Sequence, residues 1–194
     1  VEAFQAEDYD KALSSFEQII DIQNTDVVKA DNPTAVDTVI LFNAGLAASN
    51  AENYDKAIQY YSEAAKYGYN GARTYSLIGD VYKVKGDTAG ALKTYQTGFE
   101  KYPEDNGVLT SMIQIYMDMD KTEEAMKYLD LAIEQDPNNV TSYFAKGALY
   151  EKMEDEENAI ASYEKAIEVD PQFFNAHYNL GALYSRPRSF ESKS

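Results

Sequence analysis

Two hexapeptides, "AIEQDP" at Ala132–Pro137 and "AIEVDP" at Ala166–Pro171, differ at one position and begin 34 residues apart. The same step recurs along the chain. It relates Pro103, Pro137 and Pro171; Ala57, Ala91, Ala125 and Ala159; Gly45, Gly79, Gly147 and Gly181; and Tyr82, Tyr116, Tyr150 and Tyr184. Four independent series with one period do not arise by chance. Self-similarity at this length signals stacked units, each too small to bury its apolar face alone.

Each unit reads as two helices. In residues 140–173, "NVTSYFAKGALYEK" spaces Tyr143, Phe144 and Tyr150 for one helical face, and the polar turn "MEDEEN" follows. "AIASYEKAIEV" then places Ala159, Tyr163, Ala166 and Ile167 on one face of a second helix. Asp170-Pro171 ends it, because proline lacks an amide donor and disfavours the α conformation in the residue before it. Units 38–71, 72–105 and 106–139 read the same way. Gly79 and Ala91 are small enough to let two helix axes approach, and large residues such as Tyr82 and Tyr95 fill the space around that contact.

These residues resemble the tetratricopeptide repeat, a helix–turn–helix unit. "YSLIGDVY" and "HYNLGALY" carry its first-helix pattern; "GALKTYQTG", "NAIASYEKA" and "KAIQYYSEA" carry its second. The resemblance covers residues 1–184. It implies an all-α fold, a tetratricopeptide-type α-solenoid that winds antiparallel helix pairs into a right-handed superhelix. The expected organisation is a partial repeat 1–26, an insertion 27–37, repeats 38–71, 72–105, 106–139 and 140–173, a partial repeat 174–184 and a tail 185–194. "VEAFQA" is what remains of the first partial repeat's first helix. Asn32-Pro33 suits a cap and first turn, so a helix is expected to begin near Thr34.

Some positions depart from the pattern. Ile113 stands where a glycine is expected, and Ala48 where a tyrosine is expected. Gly98 replaces an alanine, at a cost of roughly 1 kcal/mol in helix propensity. "KYGYNG" ends its helix with Gly68, a left-handed cap, in place of Asp-Pro. The tail "SRPRSFESKS" is Ser-rich, positively charged and interrupted by Pro187.

Composition narrows the function. The net charge is −16, which disfavours nucleic acid, whose phosphates require a basic surface. It equally disfavours anionic membranes, and no apolar run is long enough for direct membrane insertion. The absence of cysteine removes disulfides and thiolate metal sites, but leaves the compartment open.

No enzyme signature is present, and no cofactor is expected. The single histidine, His177, falls where the family carries a large packing residue, and no nucleophile or carboxylate is placed beside it. "DMDKTEE" (118–124) and "EDEEN" (154–158) lack the glycine that a calcium loop needs at its sharp turn. Both sit in turns where acids complement a helix N-terminus. No metal site is expected. The 17 tyrosines fall mostly at packing positions, without the basic funnel that single-stranded nucleic acid needs.

The resemblance also implies where a partner binds. First helices line the concave face in this family, and peptides lie along it. The positions matching that face are Phe42, Asn43, Leu46, Arg73, Ser76, Leu77, Asp80, Lys83, Ser111, Gln114, Phe144, Tyr178 and Asn179. The positions where some members carry the Lys, Asn and Arg that clamp a chaperone's C-terminal carboxylate hold Phe42, Leu46, Leu77, Gly107 and Ser111 or, one unit later, Ser76, Asp80, Ser111, Thr141 and Ala145, so no clamp is expected. The expectation is a non-enzymatic scaffold that holds a peptide or protein segment in its groove. The alternative is a regulatory or substrate-recruiting arm of a larger enzyme or membrane-anchored protein. A third use is self-association through the incomplete terminal repeats.

Overall fold

The structure, a computed structural model, describes residues 8–25 and 37–186. The "VEAFQA" remnant, the helix start near Thr34 and the tail from Pro187 onward lie outside the described residues. Among those described are ten helices and no strand: α1 (Tyr9–Gln23), α2 (Thr38–Asn50), α3 (Tyr54–Lys66), α4 (Ala72–Val84), α5 (Thr88–Lys101), α6 (Asn106–Asp118), α7 (Thr122–Gln135), α8 (Val140–Lys152), α9 (Glu156–Val169) and α10 (Phe174–Tyr184). The chain divides into two compact units, Val1–Met112 and Ile113–Ser194, with the boundary inside α6.

In the first unit, α2 pairs with α3 and α4 with α5, while α1 packs on α2 and α3 on α4. Each pair is closed by a tyrosine lying on a glycine. A Cβ built on Gly45 would stand 2.6 Å from the Tyr61 ring, and one on Gly79 would stand 2.2 Å from the Tyr95 ring. No side chain fits in either place. The ring therefore rests on the backbone of the first helix and is itself sealed, Tyr61 at 1% and Tyr95 at 0% exposure. Gly98 has a similar cause: a Cβ there would meet the Tyr75 Cβ at 2.7 Å and Val108 at 3.1 Å. Close packing thus offsets the propensity cost of a glycine within α5.

In the second unit α8 pairs with α9, and α7 and α10 pack on either member of that pair. Gly147 lies under Tyr163 as before, with a virtual Cβ 2.5 Å from the ring. The 106–139 repeat solves the same problem differently. Ile113 holds the glycine position and Leu129 the tyrosine position, and both are buried. Volume has moved from the second helix to the first, the kind of exchange that cores tolerate best.

The turns inside the pairs repeat as strictly as the core. Glu52, Gly86, Asp120 and Glu154 all take positive φ, between 58° and 78°. The next residue's amide then donates to a carbonyl five residues earlier: Asn53 to Ala48, Asp87 to Tyr82, Lys121 to Tyr116 and Asp155 to Tyr150. This is the left-handed helix ending that satisfies terminal carbonyls. That same next residue caps the following helix. Asp87 accepts from the Gly90 amide at 2.8 Å, Asp155 from Asn158 at 3.2 Å and Asn53 from Lys56 at 3.4 Å. Lys121 makes no side-chain cap. Asp87 and Asp155 of these turns thus serve helix ends.

Gly79→Ala should lower the denaturation midpoint by the equivalent of roughly 1–3 kcal/mol through overpacking. Gly181→Ala, where a Cβ meets nothing within 4 Å, should instead raise it by up to about 1 kcal/mol through helix propensity. Lys121→Asn should restore the missing cap and stabilise by about 1 kcal/mol. Urea titrations followed by circular dichroism measure all three; equal effects at Gly79 and Gly181 would refute the tight contact of Tyr95 on Gly79.

Candidate partner-binding face

The first unit brings one set of face positions together on α2, α4 and the start of α6. Phe42, Asn43 and Leu46 on α2, Ser76 and Leu77 on α4, and Ser111 on α6 are half-buried; Arg73, Asp80 and Lys83 on α4 are exposed. Phe42 is held as a wedge: its ring centroid lies 5.3 Å from that of Tyr61 and 5.2 Å from that of Tyr69. Arg73 and Lys83 form no ion pair among the described residues. The face therefore presents a shallow apolar strip bordered by two cations and one carboxylate.

The tyrosines that close the helix pairs also reach this face with their hydroxyls. Tyr95 donates to Asp80 Oδ1 at 2.6 Å, and Ser111 hydrogen-bonds the same phenol oxygen. Burial first, and then the Asp80 charge, raise the Tyr95 phenol well above its ordinary value. One repeat earlier, the positions of Asp80 and Ser111 are taken by Leu46 and Leu77. The Tyr61 hydroxyl accordingly has no hydrogen-bond partner. Burial pushes this phenol up to about 12, with Arg73 pulling the other way.

The second unit holds the remaining positions. Gln114 is exposed and donates to Asp118 Oδ1 at 2.8 Å. Phe144 is half-buried, its ring 5.6 Å from Tyr163 and 5.4 Å edge-on from Phe173, so part of its surface belongs to the core. Tyr178 is 67% exposed and stacks on Phe174 at 6.2 Å. Asn179 donates to the Tyr163 hydroxyl at 3.0 Å, while that hydroxyl donates to Glu151 Oε2 at 2.7 Å. Burial, then Glu151, raise the Tyr163 phenol to about 12. The links made by Tyr61, Tyr95 and Tyr163 are absent from the sequence-based set. Their trace in the sequence is the fixed spacing of 16 residues from each glycine to its tyrosine.

His177 departs from its expected packing role. It is exposed, and its Nε2 lies 2.9 Å from the Pro171 carbonyl, to which it donates. The apolar contacts of α10 with α9 run through Ala176, Leu180 and Leu183 instead. The acids of the two turns are committed elsewhere: Asp120 pairs with Lys152, and Asp155 caps α9. Among the described residues no group of three His, Asp or Glu could hold a metal ion. No described helix is long and apolar enough to cross a membrane.

Family models described as tetratricopeptide repeat match residues 42–106 and 84–149, and one described as TPR repeat matches 155–186. The chain belongs to the tetratricopeptide repeat family. It is 26% identical over 112 residues to the BBSome complex member BBS4 of Bos taurus, a match covering 58% of this chain and 21% of that protein. It is 29% identical over 96 residues to the photosystem I assembly protein Ycf3 of Synechococcus sp. (strain CC9311), covering 48% of this chain and 56% of that one. The chain thus spans about a fifth and just over half of these curated relatives.

Three solved structures share the fold. MamA matches with a TM-score of 0.63 at 23% identity, over 76% of this chain and 80% of that one. YrrB, described as a TPR protein with an unusual peptide-binding site, matches with a TM-score of 0.63 at 19% identity, over 91% and 86%. The first TPR of Spaghetti (RPAP3), bound to the HSP90 peptide SRMEEVD, matches with a TM-score of 0.53 at 23% identity, over 59% and 90%.

The unpartnered phenol offers a test of the face. A buried donor without an acceptor costs about 1–3 kcal/mol, so Tyr61→Phe should leave stability unchanged or raise it by about 1 kcal/mol. Tyr95→Phe, which breaks a bond to Asp80, should lower it. Paired denaturation curves read both, and a clear loss from Tyr61→Phe would mean that its hydroxyl has a partner.

Proposed function

We propose that the chain is a non-enzymatic interaction module that binds a peptide or protein segment along its first helices. The observation that carries this reading is the face on α2 and α4. Half-buried Phe42, Leu46 and Leu77 lie among exposed Arg73, Asp80 and Lys83, of which both cations lack an ion pair among the described residues. Apolar anchors next to arginine, within a polar surround, are the composition of protein-binding surfaces. Family membership supports an interaction role, and two neighbours in fold are described with bound or binding peptides. Phe42 is held between Tyr61 and Tyr69, so little ordering cost accompanies binding at that anchor. The occupant here differs from a chaperone tail gripped by a carboxylate clamp, because the clamp residues are missing. Neither nucleic acid nor membrane suits a chain of net charge −16.

A photo-crosslinking amino acid placed at Arg73 or Lys83 tests the reading against the same probe at Glu134 or Lys127. A peptide-binding face gives one partner from the first two positions and none from the second two. For that partner, Arg73→Ala should weaken binding by more than about 1 kcal/mol with helicity unchanged. Partner capture only from Glu134 or Lys127 would move the interface to the second helices and overturn the proposal.

A further inference from the structure

A cavity of about 310 Å³ opens between α3, α4 and α5, on the side formed by the second helices. Tyr75 and Ile78 floor it, and Tyr82 forms a wall. Three ammonium groups, Lys66, Lys93 and Lys101, stand around it, and no carboxylate lines it. That is unexpected in a chain of net charge −16. It shares no residue with the face on α2 and α4, so the inference drawn from it does not rest on the proposed function.

The repeats explain why the cavity exists. In the 106–139 repeat, the Tyr128 ring lies parallel to Tyr116, with centroids 5.3 Å apart and planes 8° apart. Tyr82 is the equivalent of Tyr116, but the equivalent of Tyr128 is Thr94. In the 140–173 repeat Ser162 also leaves Tyr150 unstacked, but there the Lys146 ammonium sits 6.0 Å from the ring centroid. Among the described residues no stacked ring or overlying ammonium covers Tyr82. Gly90 occupies the position held by Lys56, Glu124 and Asn158 in the other repeats. A Cβ on Gly90 would stand 2.8 Å from Tyr82 Cδ1, so the ring edge rests on the α5 backbone there. The ring missing at Thr94 leaves the place beside Tyr82 unfilled.

The charges then select the ligand. Lys66 is paired with Glu63 at 2.5 Å, and Lys101 donates to the Tyr75 hydroxyl at 2.6 Å. Lys93 has no ion pair among the described residues. The acid near Gly90, Asp87, is engaged in capping α5. A neutral ring would leave the lysines unused, and a simple inorganic anion would leave Tyr82 unused. We infer that the cavity is a binding site for a small planar aromatic anion. Its ring takes the place that Tyr128 occupies against Tyr116, and its carboxylate or phosphate lies beside Lys93 and Lys101. The volume suits one such ring, at the small end of ligand cavities.

Phenyl phosphate is a suitable probe, titrated into isotopically labelled protein while the Gly90, Thr94 and Thr97 amides are followed by NMR. Saturable shifts confined to this cavity are expected. Cyclohexyl phosphate, with the same charge but no flat ring, and benzyl alcohol, with the ring but no charge, should each bind about ten-fold more weakly, equivalent to about 1.4 kcal/mol. Thr94→Tyr installs the residue found at positions 60 and 128, and should abolish binding by filling the place. Lys93→Gln changes an exposed side chain alone and should weaken binding about ten-fold, equivalent to about 1.4 kcal/mol, which keeps the test decisive if Thr94→Tyr fails to fold. Equal binding of phenyl and cyclohexyl phosphate would overturn the inference. So would affinity unchanged by Lys93→Gln, shifts spread evenly over all lysines, or no saturable shift at all.

Discussion

A tyrosine ring pressed on a bare glycine backbone is the contact from which the rest of this molecule is built. It sets how closely the two helices of a pair approach, because any Cβ at Gly45, Gly79 or Gly147 would overlap the ring by more than side-chain adjustment could relieve. Close approach in turn lets Ala57, Ala91 and Ala159 pack at zero exposure. The same ring is long enough for its hydroxyl to emerge near the far edge of the first helix. One residue therefore joins the core to the candidate binding face. Whether that hydroxyl is partnered depends on the outer positions: Asp80 with Ser111 satisfies Tyr95, and Glu151 with Asn179 satisfies Tyr163. Leu46 and Leu77 leave Tyr61 without an acceptor. The local chemistry of the face is thus set in part from beneath.

The 106–139 repeat shows that the conserved quantity is volume across the contact, not the identity of either residue. Ile113 fills the space that a glycine would leave, and Leu129 gives up what a tyrosine would occupy. Read alone, Ile113 is an exception to the pattern. Read with the residue 16 positions later it is half of an exchange, since a β-branched chain and a full tyrosine would not both fit in a core packed to crystal density.

The helices, their pairing and the family were readable from the period, because each series marks a residue whose size or conformation the fold cannot vary. Other features were out of reach for stated reasons. Left-handed backbone recurs at residues 52, 86, 120 and 154, yet only Gly86 advertises it; the others are acids whose side chains give no such signal. Phe42 and Phe144 look like free anchors in sequence but are partly consumed by neighbouring rings. That depends on where Tyr69 and Phe173 fall in space. His177 occupies a position of large packing residues and is exposed, because α10 meets α9 through Ala176, Leu180 and Leu183. The cavity beside Tyr82 escaped for the opposite reason: periodicity draws attention to what is present at each step, and this cavity is made by what is missing.

Repeat proteins can accommodate such omissions because their stability is close to a sum over units and nearest-neighbour contacts. A gap in one repeat costs that repeat's share and leaves the others whole. The 72–105 repeat departs most in its second helix, with Gly90 and Gly98 where the other repeats carry larger residues and Thr94 where two of them carry tyrosine, and it balances five acids with five basic residues in an acidic chain. Gly98 is explained by close packing against Tyr75 and Val108. Gly90 is explained in the same way, since a Cβ there would stand 2.6 Å from Asp87 Oδ2 and 2.8 Å from Tyr82 Cδ1; Thr94 is not, because it stands where Tyr128 stacks on Tyr116 and leaves that place beside Tyr82 unfilled. A helix gains neither propensity from glycine nor burial from threonine at such positions. Thr94 beside Tyr82 is what makes this gap a candidate site: one aromatic face lacks its cross-helix ring, while Lys93, which forms no ion pair among the described residues, stands next to it.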